Sequence, residues 1–358
     1  MRSGLLAIAC AACRLNFDEV ARDDSVAPDA AQTALATPCN TPVLLHADDD
    51  AAVQLSAAAT TSTLVASWLR SDGTVGEAGA RLVAGGLEPF ARPTLGGTWS
   101  GVALAASGDT VMSTLGRGST SDVRFLDEEL TVFVHALSIA VALPGTRGAS
   151  ALRASTYPFV LAGTHNLKIG AQALAPSELG PELDALAEPQ DAVETVAFDD
   201  DFAIVSAGSG TCSIIRLRAD SGPIAPIATW GTQCATPTAA QLPGRTDFVL
   251  ARHHTTDVAI DFTIGTLVGG GVSLPIERRL ASGSYPRAVA TREGYWIASH
   301  ARGAVEARLV DFTGEPAGVA SLGATTDSPT HEVVALDGTA YALWMQPGVG
   351  LSVARLCR

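Results

Sequence analysis

VVALDGTAYALWM, running from Val333 to Met345, sets two short apolar runs on either side of Asp337-Gly338. Asp-Gly supplies the two positive-φ positions of a two-residue turn, so the stretch reads as a β-hairpin. Its second run has relatives up the chain. A short apolar strand with a small residue at its end recurs at Val65-Ala66-Ser67, Val111-Met112-Ser113, Val160-Leu161-Ala162, Ile204-Val205-Ser206, Val249-Leu250-Ala251 and Ile297-Ala298-Ser299. With Ala342-Leu343-Trp344 as the seventh, successive spacings are 46, 49, 44, 45, 48 and 45 residues.

Each marker follows another short strand across a tight turn. Some 10–15 residues later comes a third strand, and four of these share a core: Ala80-Arg81-Leu82, Ile215-Arg216-Leu217, Ala307-Arg308-Leu309 and Ala354-Arg355-Leu356. A Gly-bearing turn and a fourth strand complete the unit, as in RLVDFTGEPAGVASLG at 308–323. Four short strands per unit of this length form the blade of a β-propeller. A β-sandwich also has short strands and turns, but it has no reason to repeat its spacing seven times. The expected fold is therefore all-β, a seven-bladed propeller of four-stranded blades over residues 39–358.

The last unit stops at its third strand. The lone strand Thr41–Asp48 at the other end of the chain supplies the missing fourth, so the N-terminal strand closes the ring. Cys39 then precedes that strand and Cys357 follows the third, which places them side by side. A bridge there closes a loop of nearly the whole domain, an entropic stabilisation of about 4–5 kcal/mol. Cys212 opens the third strand of unit four, and Cys234 follows its fourth. A symmetric hairpin about Asp220-Ser221-Gly222 sets these two opposite each other as a second bridge. Two bridges imply an oxidising compartment.

The chain starts MRSGLLAIACAACRLNFDEV. Leu5 to Ala12 is unbroken apolar and small, too short to span a bilayer and suited to a secretory signal. Ala11-Ala12-Cys13 resembles a bacterial lipoprotein signal, which implies lipidation at Cys13, with Cys10 the alternative. A redox or zinc reading of Cys10 and Cys13 would need a βαβ unit or a second cysteine pair. Residues 1–13 are thus the expected export segment. Residues 14–38, rich in Asp, Ala and Pro, are an expected flexible tether. The repeat itself resembles the repeat-built propellers of exported bacterial lipoproteins. That resemblance implies an architecture and an outer-membrane, cell-envelope location through a lipid anchor, and assigns no functional residue.

A net charge of −14 argues against nucleic acid as a partner. The sequence carries no nucleophile elbow, HExxH, P-loop or dinucleotide fingerprint, and no Asp-box, Trp-Asp or kelch signature. Neither Asp triplet, at 48–50 or at 199–201, has calcium-loop spacing. No cofactor and no metal site is expected, because His253 and His254 are adjacent and would point apart.

In a propeller, the turns between second and third strands share a face with the connections between blades. That face would collect Arg117, His165, Lys168, Arg252, His253, His254, His300 and Arg302 from within blades, and Arg147, Arg287 and His331 from between them. The other face would collect Asp109, Asp127, Glu128, Glu129, Asp199, Asp200, Asp201, Asp220, Asp311, Glu315 and Asp337. A cationic, His-bearing face favours an anionic ligand, more strongly as pH falls through about 6.5. Its candidate ligand-binding residues are His165, Arg252, His253, His254, Arg287, His300, Arg302 and His331, with Trp99 and Tyr285 placed to stack on a ring. The expected function is a monomeric, membrane-tethered binding or scaffold module for a protein, a glycan or another anionic ligand. The alternative is a hydrolase or lyase acting on a glycan or anionic polymer in the central funnel, with a histidine such as His300 beside Asp257 as its acid–base pair. A structural or assembly role would instead show as an exposed edge or apolar patch.

Overall fold

The computed structural model describes residue 39 and residues 42–358, apart from 49, 85, 142–148, 152–155, 166–167, 187–191, 199–200, 220–221, 224–227, 269–270 and 326–328. The expected export segment, with Cys10 and Cys13, and the tether over 14–38 lie outside the described residues, as do Arg147, Asp199, Asp200 and Asp220.

The described residues form seven antiparallel sheets, the seven blades of a propeller. Blade 1 spans Ala52–Leu95, blade 2 Gly101–Ile139, blade 3 Ala149–Leu186, blade 4 Ala192–Thr232, blade 5 Cys234–Ser282 and blade 6 Ser284–Ala324. Blade 7 pairs three strands within His331–Arg355 with the strand Val43–Ala47, which closes the ring. The first strands of neighbouring blades touch around the axis, and outward from them the strands follow in chain order in blades 1 to 6, while blade 7 ends on the closing strand Val43–Ala47.

The marker strands are second strands, buried on both sides. Every residue of Thr63–Arg70 and of Asp201–Gly208 is buried. That explains the small residue at each marker. Neighbouring blades press on both faces of this strand, and Ser67, Ser113, Ala162, Ser206, Ala251 and Ser299 are all nearly inaccessible. Apolar clusters accordingly lie between blades rather than at one centre. Leu55, Leu64 and Trp68 of blade 1 pack with Leu343, Leu351 and Val353 of blade 7, and Phe198 and Ile214 of blade 4 pack with Phe248 and Leu250 of blade 5.

The Asp337-Gly338 turn forms as its sequence predicts. Leu336 pairs with Thr339, and φ is 50° at Asp337 and 71° at Gly338. Closure is in register too, with Val43 opposite Val353 and Ala47 opposite Gly350. Cys39 and Cys357 are bridged, with Cα atoms 5.9 Å apart. Just past the closing strand, Asp48 Oδ2 accepts from Trp68 Nε1 at 2.7 Å and from Arg70 Nε and Nη2 at 2.9 and 2.7 Å. The closing strand is thereby bonded to the second strand of blade 1. Burial alone would raise the Asp48 carboxyl, but the Arg70 hydrogen bonds, the Asp50 N–H and Trp68 outweigh it and hold the group below the usual carboxylate range.

Cys212 and Cys234 are bridged as well, with Cα atoms 5.5 Å apart. The detail differs from the hairpin expected of them. Cys212 pairs with Trp230, while Cys234 already begins the inner strand of blade 5. A single residue, Gln233 at φ 55°, connects the blades, so this bridge staples blade 4 to blade 5. The outer strand of blade 5 is broken, into Gly271–Ser273 and Arg278–Ser282, and in blade 4 both Gly222–Pro223 and Ala228–Thr232 pair with the third strand.

Candidate functional site

An innermost strand has a ladder partner on one edge only, so backbone groups on its other edge need partners. Between blades 1 and 2 those partners are neutral. Gln54 Nε2 donates to Val102 O at 3.0 Å, and Val102 N donates to Gln54 Oε1 at 3.2 Å, so one side-chain amide imitates a strand. Ser56 Oγ accepts from Leu104 N at 2.9 Å. Across blades 4 to 7 the axial side chains are charged and engage one another. Thr238 Oγ1 donates to Glu194 Oε1 at 2.8 Å. Arg287 lies 4.0 Å from Glu194 Oε2 through Nη1 and 3.3 Å from Glu332 Oε1 through Nε. All three charged side chains are buried. Burial pulls the Arg287 guanidinium below its usual range, against the raising effect of Glu194.

The sequence places Arg287 on the open rim and singles out neither Glu194 nor Glu332, although it carries a signal. Glu194, Arg287 and Glu332 each stand opposite the middle residue of a marker triplet: Val205, Ala298 and Leu343. A charged residue at one repeat position in three apolar strands is the mark of a shared axial role.

The two rims of the ring differ as the strand directions require. The upper rim carries the turns between second and third strands and the inter-blade connections; the lower rim carries the remaining turns. His165 and Lys168 pair across a blade 3 turn on the upper rim. His253 and His254 end the second strand of blade 5, and His300 lies near the end of that of blade 6. The His253 ring is 6.5 Å from that of Tyr285, and His254 Nδ1 is 3.8 Å from Asp257 Oδ2. Arg302 is exposed in the blade 6 turn. Arg117 caps Trp99, its guanidinium carbon 4.6 Å from the ring centroid.

The other three candidates lie beneath the surface. His331 is fully buried at the start of the blade 7 inner strand, Arg287 belongs to the axial cluster, and Arg252 is 3% exposed. Arg252 grips Glu277 through two bonds, Nε to Oε1 at 2.7 Å and Nη2 to Oε2 at 2.8 Å. It also donates to Thr232 O at 2.8 Å and to Asp261 Oδ2 at 3.3 Å. The chain makes room for this group at Gly231, where a Cβ would overlap the Arg252 side chain and φ is 65°. Arg279 then bonds Asp257 at 3.0 Å and Asp261 at 3.1 Å. The Asp257 considered as a partner for His300 is thus engaged by Arg279 and His254. At blade 5 the upper rim is a compensated ion network rather than a run of open cations.

Acids do gather on the lower rim, at Asp109, Asp127, Glu128, Glu129, Asp311, Glu315 and Asp337, and arginines answer several of them. Arg81 pairs with Glu129, Arg216 with Asp201 at 2.5 Å and Arg278 with Glu315 at 2.8 Å. Among the described residues, no group of three or more His, Cys, Asp or Glu is placed to hold a metal ion.

No protein-family model matches the chain, and no curated protein sequence matches it. Solved structures do. The chain is similar over 87% of its length to a chain of the hydrazine synthase of Kuenenia stuttgartiensis, covering 97% of that chain with a TM-score of 0.62 at 11% identity. It is similar over 78% to the SapL1 lectin, solved in complex with alpha methyl fucoside, covering 98% of that chain with a TM-score of 0.54 at 12% identity. It is similar over 84% to the β-propeller domain of Cps50 (Swd1) from Myceliophteria thermophila, covering 97% of that chain with a TM-score of 0.53 at 14% identity. At such identities the likeness is one of fold.

Proposed function

We propose that this chain is an extracytoplasmic binding or scaffold module, a rigid ring that presents its upper-rim turns to a protein, a glycan or another anionic ligand. One observation carries the reading: the buried charges at the blade seams are engaged with one another and lock the ring. Arg287 of blade 6 is held by Glu332 of blade 7 and Glu194 of blade 4, and Arg70 of blade 1 by Asp48 beside the closing strand. A ring so braced is a platform, and its surface cations Arg302 and Arg117 lie on the presenting rim. The two disulfides fit an oxidising compartment, and a lipid on Cys13 would tether the platform to the outer membrane. A lectin and a propeller domain among the structures of similar fold support a binding role.

The test is retention of the purified chain on sulfated and carboxylated polysaccharide columns, against an Arg117→Glu/Arg302→Glu variant. The reading predicts retention that falls with salt and is lost in the variant. Equal retention of both proteins would set the anionic-ligand reading aside. Intact mass of protein from its own membrane fraction tests the anchor, which predicts a diacyl or triacyl adduct on Cys13.

A further inference from the structure

Of the five tryptophans in the chain, Trp68, Trp230, Trp296 and Trp344 are buried. The fifth, Trp99, is half-buried on the upper rim, in the connection between blades 1 and 2. The sequence offers its ring as a surface on which a ligand could stack. In the structure a cation lies over that ring instead, the Arg117 guanidinium carbon 4.6 Å from its centroid.

Both partners are fixed in place. Trp99 N donates to Gly73 O at 2.9 Å, and Trp99 Nε1 to Gly96 O at 3.3 Å. The indole also packs on the cluster of Leu69, Val75, Val102 and Leu115. Its close approach to the chain requires glycine at 97, where φ is 138° and a Cβ would lie 2.8 Å from Trp99 Nε1. Arg117 ends the second strand of blade 2, and the turn after it is tied to the same connection. Ser100 N donates to Gly116 O at 2.9 Å, and Gly118 N donates to Ser100 Oγ at 3.2 Å.

The charge of Arg117 is nonetheless uncommitted. Arg81, Arg216, Arg252, Arg278 and Arg279 each pair with a carboxylate. Arg117 is exposed and, among the described residues, pairs with none. A guanidinium offers a rigid fork of N–H donors that matches a carboxylate in two parallel bonds. One already held over an indole has less freedom to lose when it binds. The exposed residues beside it are Gly96, Gly97, Thr98, Ser100, Gly118 and Ser119. They bring hydroxyls and backbone amides, and no large apolar side chain. Such surroundings suit an acid carried on a polyhydroxylated ring. A peptide carboxylate would find no apolar pocket for an anchoring side chain.

We propose that Arg117, set on Trp99, is the binding point for an acidic sugar. The guanidinium takes the sugar's carboxylate, and the turn hydroxyls bond those of the ring. Trp99 serves as the platform that orients Arg117, rather than as a stacking face. Resting on the presenting-rim reading above, this narrows it to one ligand class at one place.

The experiment is titration of the purified full chain with trigalacturonate, and with galactotriose as the neutral control, followed by tryptophan fluorescence and acrylamide quenching. The other four tryptophans are buried, so the quenched signal reports Trp99. Trigalacturonate should saturate with a Kd on the order of 0.1–1 mM and shield Trp99 from the quencher. Galactotriose should do neither up to about 10 mM. Arg117→Lys keeps the charge but loses the fork, and should weaken binding at least about tenfold. Trp99→Leu keeps Arg117 without its platform, and should weaken binding several-fold, as read by calorimetry. Circular dichroism and Tm control for folding; a purely structural pair would lower Tm and leave affinity unchanged. Unchanged affinity in both variants, or equal binding of the neutral sugar, would overturn the proposal. No saturation up to about 10 mM trigalacturonate, by a chain still retained on the polysaccharide columns, would overturn it and leave the presenting-rim reading standing. Loss of that retention as well would overturn both.

Discussion

Two seams of the ring are held by different chemistry. Between blades 1 and 2, the free edge of an inner strand is satisfied by the Gln54 amide and the Ser56 hydroxyl, both neutral. Between blades 4, 6 and 7, the axis is held by Glu194, Arg287 and Glu332, all buried and charged. A neutral amide gains a little over water and leaves a modest deficit when removed. A buried ion gains little net, yet removal of its partner leaves an uncompensated charge. The charged seam should therefore be fragile to single changes and tolerant of wholesale replacement, and the neutral seam the reverse.

The sharpest break is Arg287→Met, which leaves two buried carboxylates facing each other. It should cost about 4 kcal/mol in urea denaturation. The triple variant Glu194→Gln/Arg287→Met/Glu332→Gln should recover most of that loss; if it is as unstable as the single variant, the seam is held by packing rather than by charge balance. Next is Asp48→Asn at the closing seam, expected to cost about 3 kcal/mol at neutral pH because Arg70 loses its buried partner. The sign with pH follows from the depressed Asp48 carboxyl. Its contribution is complete above the unfolded carboxylate pKa, near 4, and is lost as pH falls through the lower folded value. The gap between wild type and variant should accordingly narrow in acid, and a gap independent of pH would separate Asp48 from the ion pair. Gln54→Ala, which strands the N–H and C=O of Val102, should cost about 2 kcal/mol by the same denaturation assay. Ser56→Ala should cost about 1 kcal/mol, with no pH dependence between 5 and 8 on the order of experimental error.

The repeat was legible because each blade exposes the chain to one uniform demand. A second strand squeezed on both sides must be short, apolar and small, and seven of them at nearly one spacing fix the ring. The cysteines were legible for a related reason, since closure leaves the chain ends only one place to meet. Outer strands face solvent and are under no such demand, which is why the break in blade 5, and the one-residue step from Thr232 to Cys234, leave no pattern. The rim charges of blade 5 are not legible from residue types alone, because register decides which of them meet. Arg252 stands directly opposite Asp261, and Asp261 opposite Arg279. The third partner, Glu277, lies 25 residues from Arg252 in chain order, beyond the reach of any local reading. The axial acids were hidden by their company, single charges inside strands otherwise read as apolar.

The bridge from Cys39 to Cys357 also has a mechanical meaning. The two cysteines are 318 positions apart in the chain, and nearly every described residue lies between them. Tension applied at the two ends of the domain passes through one sulfur–sulfur bond and bypasses the blades. A pulled molecule should show no domain extension until it is reduced, and should then release roughly 110 nm of chain. The ring is thus built to be tugged from its ends without changing the shape it presents.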